Sequence, residues 1–459
     1  MRKDNKKLGS VSPRREFLKK TGAAAAAGAY LAGAAPLAVS KETAAAKSET
    51  LAINGGKPTV TAKVPGVFRW PQYGQGEKEV LRAAIDGGNF YSALPELEAK
   101  WREFNEVPFA KTHMNGSSAL LSMYFALDLP PGSEVMVPSY TFFSTITSLR
   151  FFGLVPVFVD INPRTATFDV EHMKKVYNPR VRAVVPMHSW GLPCEMDHIC
   201  DFAKEHDLIV LEDAAHAHGA SMQGKKVGCW GRMGIYSYQA SKPLPGIEGG
   251  MGVYQNREDY ERATILGHYG PVSKSAPTGG SGGFAADSPY RKYEGTGLGL
   301  KLRMHPLAAV LILKQLEKLD EQNRIINSQV RKINDRICQL PGISEPVCRE
   351  DQDRVYYHGN LIFLDEAKAG ITRAAAARAL KAEGVGASIW EYPENHKYAI
   401  YSEPQWWHHP IDLPKSLPGC EQVNSRAINL PLFRREAPEM VEQYIAAFEK
   451  VWAHRKELA

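Results

Sequence analysis

The chain has 459 residues, of which 44% are hydrophobic and 23% charged, with a formal net charge of +6. A single core stops growing at roughly 250 to 300 residues, so more than one domain is expected. The charge excludes a basic nucleic-acid or anionic-membrane surface on the folded part: residues 1–34 hold eight basic residues against Asp4 and Glu16, and the remainder is formally neutral.

The basic segment contains Arg2, Lys3, Lys6 and Lys7, then Ser12-Pro13-Arg14-Arg15-Glu16-Phe17-Leu18-Lys19-Lys20, followed by an Ala/Gly-rich stretch from Thr21 to Val39. Paired arginines ahead of a weakly apolar run resemble a twin-arginine export signal, which implies the twin-arginine translocase as a partner and a periplasmic or otherwise extracytoplasmic destination. The stretch is too rich in Ala and Gly for a permanent span. Small residues at Ala32 and Ala34, and at Ala44 and Ala46, leave the cleavage point open, and residues 1–46 are assigned to the signal and its linker. No cysteine precedes Cys194, so a lipid-anchored N-terminus is not expected.

From Thr50 onward apolar strands alternate with helical patterns. Strands are predicted over 134–138, 155–161, 182–187, 208–212, 234–238 and 250–254, and helices over 118–127, 170–177 and 196–206. This alternation predicts an α/β domain with a mainly parallel, helix-covered sheet over residues 47–305. A Gly/Ser/Pro-rich stretch, residues 270–283, reads as a long loop. Pro306 then opens one long helical pattern over 307–338, where a smaller C-terminal α+β domain, residues 306–459, is placed. The aromatic, proline-interrupted segment from Trp390 to His409 either lines a site or packs the smaller domain. Six cysteines show no C-x-x-C spacing, which disfavours zinc or iron–sulfur sites; Cys338 with Cys348, or Cys194 with Cys200, are possible disulfides, and free thiols are the preferred reading.

Two segments carry chemistry. The apolar run Leu208-Ile-Val-Leu-Glu-Asp-Ala-Ala-His216 delivers Asp213 and His216 to a strand's carboxyl end, the edge where open α/β sheets bind ligands. Alone, such an Asp is more commonly a cap or turn residue. The second segment, Gly234-Ile-Tyr-Ser-Tyr-Gln-Ala-Ser-Lys242, runs into Pro243-Leu-Pro-Gly-Ile-Glu-Gly-Gly250 and places one lysine amid Gly and Pro, where burial would lower its pKa. Gly116-Ser117-Ser118, before Ala119-Leu120, sets small residues and hydroxyls at a helix start, where free N–H groups and the helix dipole favour an anion.

Together these segments resemble the DegT/StrS family of sugar aminotransferases, whose pattern is Glu-Asp-x-Ala-[Gln/His], a strand, Phe-Ser-x-x-x-x-Lys and a Gly-rich turn. Tyr236 stands where the pattern has Phe. The resemblance runs from about Leu51 to the C-terminus and includes Asn115-Gly-Ser-Ser-Ala-Leu120, Pro138-Ser-Tyr-Thr-Phe142, Val157-Phe-Val-Asp160, His188-Ser-Trp-Gly191 and Leu430-Pro-Leu432. It implies fold type I of the pyridoxal 5'-phosphate (PLP)-dependent transferases, a homodimer, and PLP held on Lys242 as a Schiff base. It further implies that Asp213 pairs with the pyridine nitrogen and His216 lies beside the phenolic oxygen. By the same resemblance Phe142 would stack on the ring, and Ser237 would join Gly116, Ser117 and Ser118 around the phosphate.

One departure stands out: the family has Gly-x-Asn-x-Arg ahead of its long helix, with the asparagine reaching the neighbouring protomer's phosphate, whereas this chain reads Gly299-Leu-Lys301-Leu-Arg303. Lys301 is therefore the expected cross-subunit phosphate contact. The implied reaction is amination of a keto-sugar or keto-cyclitol with glutamate or glutamine as donor, in two half-reactions. Because the twin-arginine route carries folded proteins, it suits an enzyme loaded with an intracellular cofactor. The alternatives are an exported, non-catalytic PLP-binding or regulatory homologue, and a PLP-dependent sugar dehydratase; the second is disfavoured because related dehydratases replace the lysine.

Overall fold

The computed structural model describes residues 49–268, 284 and 287–458. The signal-like segment and the 270–283 stretch lie outside the described residues.

The large sheet has seven strands: β1 (Phe109–His113), β2 (Glu134–Pro138), β3 (Val155–Val159), β4 (Val181–Val184), β5 (Ile209–Asp213), β6 (Met233–Ser237) and β7 (Gly250–Tyr254), in spatial order β1-β7-β6-β5-β4-β2-β3. β6, β5, β4, β2 and β3 pair in parallel, while β7 runs antiparallel to both β6 and β1. The carboxyl ends of β1, β5 and β6 therefore share one edge with the start of β7. Strands such as Glu134-Val-Met-Val-Pro138 are buried throughout, as a sheet covered on both faces requires. The α/β, fold type I expectation holds. β1 is a strand that periodicity did not predict.

Helix α1 (Gly116–Leu127) follows β1. Asn115 caps it: the Ser118 N–H donates to Asn115 Oδ1 at 2.9 Å, and the Ser118 hydroxyl donates to the Asn115 carbonyl at 2.8 Å. Its start is pressed against the sheet. A Cβ at Gly250 would meet the Asn115 carbonyl oxygen at 2.3 Å, and one at Gly116 would meet Ser237 Cβ at 2.9 Å, so both positions need glycine for this close approach.

The single long helix expected over 307–338 is two helices, α2 (Pro306–Leu316) and α3 (Leu319–Ile337), interrupted at Glu317-Lys318. Beside the break, Gln315 and Lys318 both reach the buried Glu77 carboxylate. Ala309 and Ile312 of α2 pack in the core of the large sheet with Trp101 and Leu244, whereas Ile333 and Ile337 of α3 pack in a second core with Phe448 and Trp452. Leu51 and Val67, from the segment ahead of the large sheet, complete that second core. It lies against a four-stranded antiparallel sheet containing Asn360–Leu364 and Ala427–Leu430. The aromatic segment divides. Tyr401 and Trp407 pack against Tyr124 and Phe158 of the large sheet's core, while Trp390 and Tyr392 stand around Trp190.

Candidate active site

Outside the carboxyl ends of β5 and β6 lies a cavity of about 630 Å³ whose lining includes Asp213, His216, Ser237 and Lys242. Parallel pairing sets β6 next to β5, so residues 29 positions apart in sequence, Asp213 and Lys242, converge on one space.

After β6 the chain turns sharply. Lys242 N–H donates to the Gln239 carbonyl at 2.8 Å, Gly246 N–H to that of Tyr238 at 2.7 Å and Ala240 N–H to that of Ile247 at 2.9 Å. Ile247 holds φ at +69°, a left-handed conformation that is strained for a β-branched residue. The turn leaves the Lys242 ammonium 4.4 Å above the Tyr357 ring, with no hydrogen bond or ion pair among the described residues. Burial pushes its pKa down to about 8, against an opposing pull from Asp213.

The Asp213 carboxylate is held on both oxygens. Thr145 Oγ1 donates to Oδ2 at 2.7 Å, and the Ala215 N–H donates to Oδ1 at 3.0 Å. His216 is buried with its ring 4.0 Å from that of Tyr357, and its Nδ1 has no partner among the described residues. Burial, reinforced by Lys242, His358 and His218, holds His216 well below its ordinary pKa, so it is a neutral imidazole.

At the other end of the cavity stands the start of α1. Gly116 and Ser117 line it, and the Ser117 hydroxyl donates to that of Ser144 at 2.8 Å. Ser237, at the end of β6, completes a cluster of small hydroxyl residues around unsatisfied helix N–H groups. Phe142 lines the cavity, half exposed, its ring 4.3 Å from Phe143.

A family model for the DegT/DnrJ/EryC1/StrS aminotransferases matches residues 71–449. The chain belongs to this aminotransferase family. It is 30% identical to the Bacillus subtilis (strain 168) spore coat polysaccharide biosynthesis protein SpsC, over 84% of this chain and 96% of that one. It is also 30% identical to the Streptoalloteichus tenebrarius protein named "Putative L-glutamine:3-amino-2,3-dideoxy-scyllo-inosose aminotransferase", over 88% and 92% of the two chains. A solved structure of DesI, determined with its TDP-sugar product, superposes with a TM-score of 0.70 at 26% identity and covers 89% of this chain and 97% of that one. Enzymes of the family depend on PLP.

Against this aminotransferase background one expected contact moves. Ser118 does not line the cavity: its hydroxyl and its N–H are both committed to Asn115 in the helix cap, so neither is available to an anion. Lys301 is exposed and lies outside the cavity of its own chain. Other residues enter the site that sequence reasoning missed. Thr145 and Ser144 sit just after the quoted Pro138–Phe142 motif, a local signal that was available. Tyr357, His358 and the run Trp390–Pro393 arrive from far along the chain. Of these only the run Trp390–Pro393 lay in a segment whose composition drew notice.

Proposed function

We propose that this aminotransferase binds PLP on Lys242 and moves an amino group from glutamate or glutamine to a keto-sugar or keto-cyclitol. The observation that carries the proposal is the Lys242 amine, unpaired in a cavity beside a fixed carboxylate and poised near neutrality. The cavity fits the cofactor: an orphaned buried His216 Nδ1, a helix start crowded to glycine at Gly116, and an acidic partner at Asp213 match a pyridine ring with a phenolic oxygen and a phosphate.

When bound, PLP would supply an electron sink for a carbanion formed at the donor's amine-bearing carbon. Lys242 would hold the aldehyde carbon; once displaced by substrate, its neutral amine takes and returns a proton. A pKa near 8 leaves a useful fraction neutral at physiological pH. Asp213 would keep a proton on the pyridine nitrogen by opposing charge, and Thr145 and Ala215 fix the carboxylate's orientation. Gly116, Ser117 and Ser237 would hold the phosphate, and Phe142 would lie against the ring. His216, neutral, offers a hydrogen bond to the phenolic oxygen without adding a charge.

The same proposal makes the enzyme a homodimer in which Lys301 crosses to the neighbouring phosphate, exported through the twin-arginine translocase. The chemistry is supported by the relatives' sugar and cyclitol substrates; the export is supported by the confinement of the basic surplus to residues 1–34. A single experiment tests the reaction: the visible band of the cofactor-loaded enzyme, near roughly 420 nm for Schiff-base chemistry, should bleach on adding glutamate or glutamine and return with a keto-sugar. A band that no amino donor alters would mark a binder and not a catalyst.

A further inference from the structure

A second chamber, of about 370 Å³, lies across the Lys242 turn. Gln239, Ser241 and His358 line both chambers, so the two adjoin. The main chamber carries the carboxylates Asp213, Glu248 and Glu391. The second carries no acidic residue, and its charge is the guanidinium of Arg434.

That guanidinium is unusually placed. Its Cζ lies 4.2 Å over the Trp70 ring, and the Trp70 indole N–H donates to the Lys242 carbonyl at 3.1 Å, so one indole links Arg434 to the Schiff-base turn. Among the described residues no carboxylate pairs with Arg434 and no acceptor takes its side-chain N–H groups. Burial lowers its pKa to about 10, which still leaves it charged at neutral pH. His358 stands between the two cations: burial and then Lys242 push its pKa down, with Arg434 adding to the effect, so it contributes no competing charge. The His358 backbone is held at φ +67°, in the left-handed region, and the residue lines both chambers.

A half-buried guanidinium that no protein acceptor takes, held over an indole at the wall of a chamber, is free to pair with an oxyanion that enters it. We propose that Arg434 anchors an oxyanion subsite in the second chamber, and that it takes a carboxylate of the amino donor while the donor's amine is presented at Lys242. The inference rests on the proposed function for the donor's identity. The planar guanidinium suits bidentate pairing with a carboxylate. The main chamber has its own anion site at the start of α1, so an anion at Arg434 is a second one, and its place across the Lys242 turn assigns it to the donor's carboxylate and not to an anionic group on the acceptor.

The test uses glutarate, which has two carboxylates and no amine, titrated calorimetrically into the PLP-loaded protein and into Arg434→Met and Arg434→Lys. Loss of one charge-assisted contact should weaken glutarate ten- to a hundred-fold in Arg434→Met, with part of the affinity restored in Arg434→Lys. In parallel, the half-reaction with glutamate should show the same rise in apparent Kd, while a simple alkylamine lacking a carboxylate reacts as with the native enzyme. Thermal melts exclude unfolding, and Arg434→Lys serves should the methionine variant fail to fold. Unchanged glutarate affinity, an equal loss for the alkylamine, or weakening of a nucleoside diphosphate in place of glutarate would overturn the assignment. If no donor bleaches the native cofactor band while glutarate binding still depends on Arg434, the subsite stands and the proposed function fails.

Discussion

The hydroxyl of Thr145 lies 2.7 Å from Oδ2 of Asp213, and both side chains are buried. Thr141 Oγ1 lies 3.0 Å from the same hydroxyl, so the carboxylate at the end of β5 is oriented by a short chain of threonines from the segment after β2. Two strands thus cooperate in aiming one acid.

Replacing that hydroxyl tests the arrangement. Thr145→Val keeps the shape and leaves Asp213 Oδ2 without its side-chain donor, which should cost about 1.5 to 3 kcal/mol of stability because the acceptor is charged. Urea denaturation measures it. A change below about 0.5 kcal/mol would mean that the bond contributes nothing net.

The Lys242 amine gives a pH prediction. Its folded pKa of about 8 lies below the unfolded value near 10.5, so the unfolded chain binds more protons between those values. In cofactor-free protein the penalty of a buried ammonium is fully present below about pH 8 and fades as pH rises towards 10.5. Lys242→Met should therefore be more stable than the native chain at pH 7, with the difference shrinking by pH 10. Chemical denaturation at several pH values checks this, and a constant difference would contradict a depressed pKa.

The main sheet was legible because β2 to β7 are short, mostly buried stretches rich in apolar residues between turn signals. β1 was not: Lys111, Thr112 and His113 are all buried yet polar, so the strand shows neither alternation nor an apolar run. The α2–α3 break escaped notice for a related reason. Its partner, Glu77, lies more than 230 residues earlier, and tertiary bonding to Gln315 and Lys318 accompanies the interruption of a sequence with continuous helical periodicity. Lys242 and Asp213 were found because strand-end chemistry is local. Tyr357, His358 and Arg434 were not, because the small domain's contribution to the site exists only after long-range packing.

Lys301, exposed beside the long-helix region, is predicted to act across the dimer. Lys301→Ala should loosen PLP by about ten- to a hundred-fold, the equivalent of one charge-assisted hydrogen bond. In verified mixed dimers of Lys242→Ala with Lys301→Ala, one site carries both defects and the other neither, so activity near half of the native value should return. Absence of recovery would place Lys301 within its own subunit's chemistry or in none.

Export is read from Arg14 and Arg15. Changing both to lysine should retain the protein in the cytoplasm, as fractionation would show. Normal export of the native chain in cells lacking the twin-arginine translocase would contradict this route.

The central claim is the covalent role of Lys242, and borohydride reduction of the PLP-loaded protein followed by peptide mapping tests it most directly. The cofactor should be fixed on the peptide containing Ser241-Lys242-Pro243, and Lys242→Ala should yield no such adduct. An adduct mapped to another lysine, or none in protein that retains the cofactor, would contradict the account.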